Sequence, residues 1–169
     1  MKNKIVFFDF DGCLGDTPLP EYGKPIWSNY HGKEWPFQGW WGRVESMCPE
    51  AFDIKLIDEQ HQKLITYKEE GYLVFILTSR LLRFENIISD ILLKHNIEID
   101  GILTKTNHTK GERILQTVKD FKSKGHDISH TVFYDDRQKE IVTVEAVKDD
   151  LLSLGTTIDI IKVQSDALD

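Results

Sequence analysis

The chain has 169 residues, enough for one complete core and too few for two comfortable domains. Hydrophobic residues make up 40% and charged residues 29%, a balance that excludes a disordered chain. The net charge of −7, from 21 Lys and Arg against 28 Asp and Glu, excludes broad non-specific nucleic-acid binding but not a local basic pocket.

The N-terminus, Met1-Lys2-Asn3-Lys4, runs straight into Ile5-Val6-Phe7-Phe8, which the spacing predicts as a buried strand from Lys4 to Phe8. That run is too short and too soon followed by Asp9 and Asp11 to act as a signal peptide. No uninterrupted apolar stretch approaches the roughly 18 residues that span a bilayer, so a cytoplasmic protein is expected. Cys13 and Cys48 fit neither a metal spacing nor a disulfide framework and are expected as free thiols. The sequon-like Asn107-His108-Thr109 then carries no glycan.

From Cys13 to Phe52 neither helical nor strand periodicity holds for long, and this stretch contains all five prolines and all four tryptophans. Long irregular segments in compact domains are usually functional, and the aromatic content argues against disorder. An insertion at about 13–53, folded over one end of the sheet, is expected. Its tryptophans would form a small core, or Trp35, Trp40 or Trp41 would stack on a nucleobase.

A helix is predicted from about Lys55 to Glu70, then a strand over Tyr72–Leu77, then a helix over Leu82–His95 with Phe84, Ile87, Ile88, Ile91 and Leu92 at helical spacing. Gly101–Leu103 reads as a short strand, Lys110–Lys124 as a helix stopped by Gly125, and Thr131–Tyr134 as a strand. A single helix over Gln138–Leu154, stopped by Gly155, leads to an edge strand over Ile158–Val163. Strands alternating with helices define the α/β class. The expected architecture is a Rossmann-like three-layer fold, a single domain over 1–169 with a five-stranded, mainly parallel sheet.

In such sheets ligands bind at the carboxyl ends of the strands. Those ends carry Asp9-Phe10-Asp11-Gly12, Thr78-Ser79-Arg80, Thr104 to Lys110, and Asp135-Asp136-Arg137. Carboxylates crowded on one rim need compensating protons or cations. Mg²⁺, held by one or two carboxylates with waters and a substrate phosphate, supplies that charge. Lys110 and Thr78 would face the same anionic ligand, and a tight turn at Gly12 would let backbone N–H groups approach a phosphate.

The set DFDG at Asp9–Gly12, LTS at Leu77–Ser79, a helix-opening Lys110 and YDD at Tyr134–Asp136 resembles the haloacid dehalogenase superfamily. All four motifs match in order over residues 5–137. The insertion stretch FQGWWGRVESM (Phe37–Met47), with LTSR and TKGE, is similar to the branch of phosphatase-like domains resembling RNA-repair proteins. Cys13 departs from the threonine or valine usual after the glycine and is read as packing.

The resemblance implies that Asp9 is the nucleophile and Asp11 the acid that then activates water. It implies that Thr78 bonds a phosphoryl oxygen and Lys110 neutralises the transferring group. Asp9, the backbone carbonyl of Asp11, Asp135 and Asp136 would hold Mg²⁺, with Asp135 favoured as the direct ligand. Lys105 is the rival for the lysine role; Lys110 is preferred because a TK step opening a helix matches the branch. Gly12, Ser79, Arg80, Trp40, Trp41 and Arg137 are candidates for the substrate side, although arginines such as Arg80 and Arg137 at strand ends are more often structural ion-pair partners.

The expected activity is Mg²⁺-dependent phosphomonoester hydrolysis through an aspartyl-phosphate, on a nucleotide or a short nucleic-acid end. A sugar-phosphate phosphatase is the alternative enzyme. A non-catalytic binding module of the same fold is the third reading, opposed by the intact carboxylate and lysine set.

Overall fold

A computed structural model describes residues 2–165. The central strand is β1 (Lys4–Phe8), whose Ile5, Val6, Phe7 and Phe8 are all fully buried. Alternation along it serves two faces. Val6 and Phe8 join one core cluster, and Ile5 and Phe7 the other. A strand flanked on both sides and covered on both faces has no exposed position, which is why it reads as an unbroken apolar run.

Four further strands extend the sheet: β4 (Leu73–Leu77), β5 (Gly101–Leu103), β6 (His130–Asp135) and β7 (Thr157–Lys162). The order is β5-β4-β1-β6-β7 and every pairing is parallel. The first face is covered by α2 (Asp58–Glu69) and α3 (Glu85–Lys94) through Leu64, Ile88 and Leu92. The opposite face is covered by α4 (Lys110–Ser123), α5 (Gln138–Glu145) and α6 (Lys148–Ser153) through Ile114, Val118, Ile141, Val144 and Leu151. The expected three-layer α/β architecture with five strands is therefore present, and β7 is the expected edge strand.

Three local expectations need correction. The insertion is not irregular, since it contains α1 (Pro20–His31). Pro20 fits the first turn, where its missing N–H removes nothing, but Pro25 lies inside the helix. Only Gly23 and Trp27 of its residues are buried, so the helix has almost no apolar stripe to read. Its Tyr22, Ile26 and Tyr30 point to solvent instead.

Second, the ends of the insertion are tied by a two-stranded antiparallel ribbon of β2 (Gly15–Asp16) and β3 (Lys55–Leu56). Lys55 is therefore in a strand, and the following helix starts at Asp58. Third, the helix expected over Gln138–Leu154 breaks at Ala146–Val147 into α5 and α6. No glycine or proline marks the joint. Asp149 and Asp150 in the first turn of α6 suit the positive end of a new helix, and Val147 stays in the core.

The aromatic residues of the insertion form a cluster of their own, continuous with the sheet's first core. Trp35 contacts Trp27 and Trp40 with ring centres 5.1 and 4.8 Å apart, and Trp40 meets Phe52 edge-on at 5.9 Å. Gly23 leaves room for this: a Cβ there would lie 2.2 Å from the Trp40 ring. Cys13 and Cys48 are both free. No helix among the described residues is long and apolar enough to cross a membrane.

Candidate active site

Strand register brings the first two carboxylates together. Phe8 pairs with Tyr134, so the residues that follow, Asp9 and Asp135, leave adjacent strands side by side, and the Asp9 N–H donates to the Tyr134 carbonyl at 2.9 Å. Asp136 follows directly. One carboxylate oxygen from each of Asp9, Asp135 and Asp136 lies within 4.8 Å of the others, and all three residues are buried.

Lys110 enters from the first turn of α4, 101 residues away from Asp9 in sequence. Its Nζ donates to Asp9 Oδ1 at 2.8 Å and to Asp135 Oδ2 at 2.6 Å, and the residue is 2% exposed. Burial opposes a charged lysine here, but the charges of Asp9 and Asp135 prevail and raise its pKa above the ordinary lysine value. Burial also pushes the Asp9 carboxyl well up against the pull of Lys110, with Asp135 and Asp136 adding to the rise. Asp135 is raised to about 6, again chiefly by burial, with Lys110 opposing.

When all three carboxylates are ionised, one ammonium leaves two negative charges unbalanced, the complement of a divalent cation. A second observation agrees. Oδ1 of Asp136 is buried with no hydrogen-bond partner, whereas both Asp135 oxygens are taken, by Lys110 Nζ and by the Arg137 N–H at 2.9 Å. Buried polar atoms are seldom left unpaired. The donor set is all oxygen, which suits a hard ion such as Mg²⁺, so these residues fit the metal that the sequence implies. The open oxygen is on Asp136, the reverse of the preference for Asp135 drawn from the sequence.

Asp11 stands in a different environment from Asp9, although only Phe10 separates them. Arg80 forks onto it, Nη2 to Oδ1 at 2.7 Å and Nε to Oδ2 at 3.0 Å, and Thr17 Oγ1 donates to Oδ1 at 2.7 Å. Burial raises the Asp11 pKa, but the Arg80 charge and these hydrogen bonds outweigh it and hold the carboxyl below its ordinary range. Two neighbouring carboxyls are thus pushed in opposite directions, Asp9 up and Asp11 down, and a nucleophile at position 9 needs a cation beside it to be ionised. The Asp11 side chain belongs to Arg80, leaving its backbone carbonyl as the group it could offer a metal.

Arg80 is itself 3% exposed. Its Nη1 donates to the Trp41 carbonyl at 2.9 Å and to Ser46 Oγ at 2.8 Å, and the guanidinium lies 5.1 Å from the centre of the Trp41 ring. Arg80 therefore fastens the insertion to the carboxylate rim, alongside the Thr17 bond to Asp11. Thr17 and Ser46 are contacts of the candidate site that sequence reasoning missed. Their partners lie 6 and 34 residues away; Thr17 sits in no motif, and Ser46 lies within FQGWWGRVESM but was not singled out there.

The other predicted residues separate cleanly. Asp9, Asp11, Gly12, Lys110, Asp136 and Arg137 line one cleft of about 700 Å³, together with the rim residues Ser79, Arg80 and Trp41. Tyr22, at 64% exposure on α1, reaches the same cleft and has no signal in the sequence. Trp40 does not reach it: the ring is 3% exposed and its Nε1 donates to the Pro18 carbonyl at 3.0 Å, so it serves the core of the insertion. Thr78 is fully buried, and its Oγ1 accepts the Arg80 N–H at 3.0 Å.

Gly12 has φ of +70°, and a Cβ there would lie 2.6 Å from Asp136 Oδ2. Its N–H donates to the Gly15 carbonyl at 3.0 Å, so it is spent on the turn rather than on a phosphate cradle. The glycine is needed for the close approach of a carboxylate.

No family model matches the chain, and no curated protein matches it in sequence. Solved structures do. A haloacid dehalogenase-like family hydrolase from Streptococcus pneumoniae aligns with a TM-score of 0.56 at 15% identity, over 95% of this chain and 94% of that one. A Bacteroides fragilis protein assigned as a haloacid dehalogenase-like hydrolase aligns at 0.57 and 14%, over 96% and 98%. A chain of the Pnkp1/Rnl/Hen1 RNA repair complex aligns at 0.51 and 17% over 98% of this chain, which spans only 44% of that longer one. The fold is that of the haloacid dehalogenase-like hydrolases.

Proposed function

We propose that the protein is a divalent-metal-dependent phosphomonoester hydrolase in which Asp9 attacks phosphorus. The observation that carries this reading is the buried meeting of Asp9, Asp135, Asp136 and Lys110 at the carboxyl ends of the central strands, with Asp11 alongside under separate control. A scaffold has no use for three buried carboxylates around one lysine, since such a cluster costs stability unless it serves a purpose.

Asp9 forms the bond to phosphorus as the bond to the ester oxygen breaks, giving an aspartyl-phosphate. Lys110, bonded to Asp9 Oδ1, stays protonated, orients the nucleophile and offsets the charge of the phosphoryl group. A bound Mg²⁺, held by Asp9, Asp136 and the Asp11 carbonyl, would supply charge neutralisation at the same oxygens. Asp11, kept as a carboxylate by Arg80, takes a proton from the water that hydrolyses the intermediate. In the first step it donates to the leaving oxygen a proton taken up as the monoester binds, and the proton it takes from water in the second step restores that state. Arg137, whose Nε is buried without a partner, faces the same cleft and is positioned to meet phosphate oxygens.

The leaving group is read from the rim of the cleft. Trp41 is backed on one side by the Arg80 guanidinium, and Tyr22, Leu19 and Ile57 add further aromatic and apolar surface. A planar base suits this rim better than a sugar alone. The substrate is therefore a nucleotide or the phosphorylated end of a short nucleic acid. Likeness to a chain of an RNA repair complex is consistent with this reading.

The test is phosphate release from nucleoside monophosphates, 3′-phosphorylated oligonucleotides and sugar phosphates, with Mg²⁺ and with EDTA. The expected result is EDTA-sensitive release, faster on the base-bearing esters and abolished by Asp9→Asn. Release from sugar phosphates alone overturns the substrate class. No metal-dependent release from any ester returns the protein to the binding-module reading.

A further inference from the structure

A second cavity, of about 360 Å³, adjoins the catalytic cleft and shares Ser79, Lys105 and Lys110 with it. We propose that it binds a second phosphate group carried by the same substrate, beside the one that is cleaved. The assignment of that substrate rests on the phosphatase reading above.

The reason is a buried cation with one donor left open. Arg113, on α4, lines this second cavity and is 9% exposed. Its Nη1 donates to the carbonyls of Thr78, Leu103 and Thr104 at 3.0, 3.3 and 2.8 Å, which ties down the ends of β4 and β5. Its Nε is buried with no acceptor, and the carboxylates of Glu140 and Asp9 act on it through space without an ion-pair contact among the described residues. Neutral carbonyls satisfy hydrogen bonds but do not cancel charge, and a buried charge without a counter-ion is costly. An anion in the cavity would supply what the protein leaves out.

Charge in the walls points the same way. The chain carries −7 overall, yet this cavity gathers Lys105, Lys139 and Arg113 against the single carboxylate of Glu140. Lys105 and Lys139 are exposed and have no ion-pair partner among the described residues. Glu140 works against an anion and sets the limit on affinity. The terminus of α4 contributes little, because its capping box and Thr143 Oγ1 already take the N–H groups of Thr109, Gly111 and Glu112.

The shared wall makes the ligand specific. Lys105 stands between the two cavities, so a molecule with one phosphate at Asp9 and another close by on the same sugar can reach both. Nucleoside 3′,5′-bisphosphates have this chemistry, as does a terminal nucleotide with its adjoining phosphodiester. A mononucleotide does not. The acidic overall charge then restricts the contact to the end of a strand rather than a long track.

The test is binding at fixed ionic strength to the Asp9→Asn protein, which cannot turn over. Adenosine 3′,5′-bisphosphate, adenosine 3′-monophosphate, adenosine 5′-monophosphate and inorganic phosphate are each titrated while the backbone amides of residues 106–111 are followed by NMR. The bisphosphate is expected to bind roughly tenfold tighter than either monophosphate, the gain of one charge-assisted contact. Lys139→Gln, exposed and outside the cleft lined by Asp9, should abolish that preference while leaving monophosphate affinity unchanged. Inorganic phosphate shifting those amides, with no preference for the bisphosphate, would overturn the substrate assignment and leave a product-phosphate site. Equal affinities with unmoved amides would overturn the site altogether and leave Arg113 as a purely structural clamp. If the wild type hydrolyses no ester and the bisphosphate preference still holds, the phosphatase reading fails and the second anion site stands.

Discussion

Lys110 is the only cation in direct contact with Asp9 and Asp135 among the described residues, so its removal tests the electrostatics of the site without metal. Lys110→Met should lower stability at pH 7 by about 3–5 kcal/mol, the usual result of stripping one partner from a buried ion pair. Urea unfolding would measure it. The loss should shrink near pH 4.5, where Asp9 and Asp135, both with raised pKa values, are protonated and need the lysine less. A penalty that does not vary with pH would contradict the coupling.

Asp11 allows a sharper test because its two roles separate with the leaving group. A leaving group as weakly basic as p-nitrophenolate departs without a proton, so only the second step still needs Asp11. Asp11→Asn with p-nitrophenyl phosphate should therefore release a burst of about one p-nitrophenol per chain, followed by slow turnover. Slow release from the start, with no burst, would remove Asp11 from the second step.

The placement of Lys110 depends on how α4 sits against α5, and there is a glycine at the contact. A Cβ on Gly111 would lie 2.0 Å from the Thr143 carbonyl oxygen, so the two helices must part to admit it. Gly111→Ala should cost about 3 kcal/mol and reduce activity, since Lys110 moves with the helix. Gly42 borders the cleft, and a Cβ there would meet nothing within 4 Å, so Gly42→Ala should leave the urea midpoint nearly unchanged. Equal midpoints for the two variants would refute this account of the helix contact.

What the sequence disclosed at this scale follows from where each signal is stored. The buried strands are legible because burial on both faces turns them into unbroken apolar runs, and the strand ends are legible because polarity begins abruptly at Asp9, Thr78 and Asp135. Helix α1 is illegible because Pro25 lies inside it and only Gly23 and Trp27 are buried, which leaves no stripe. The joint between α5 and α6 carries no glycine or proline to announce it. Thr17 and Ser46 are invisible for another reason. Their value comes from contacts with Asp11 and Arg80, and such contacts exist only after the insertion folds back.

For the molecule as a whole, the buried carboxylate cluster links stability to pH. In the metal-free protein Asp135 is raised to about 6, and Asp9 is raised well above the ordinary carboxylate range. The native state then binds more protons than the unfolded chain from about pH 4 to 6, so stability falls as pH rises through that window. A divalent cation offsets the ionised carboxylates and binds the folded state alone, so it should raise Tm more at pH 7.5 than at pH 5. Differential scanning calorimetry with Mg²⁺ and with EDTA at both pH values checks this, and a shift that is absent or larger at pH 5 would contradict it.

The most direct trial of the nucleophile assignment is to trap the covalent state. The protein is mixed with a phosphorylated nucleotide and Mg²⁺, quenched in acid within the first turnover, digested and read by mass spectrometry. A hydroxylamine-sensitive phosphoryl group is predicted on the peptide containing Asp9, absent with EDTA and absent from Asp9→Asn. Undiminished phosphate release from Asp9→Asn, or a phosphoryl group on any other residue, would contradict it.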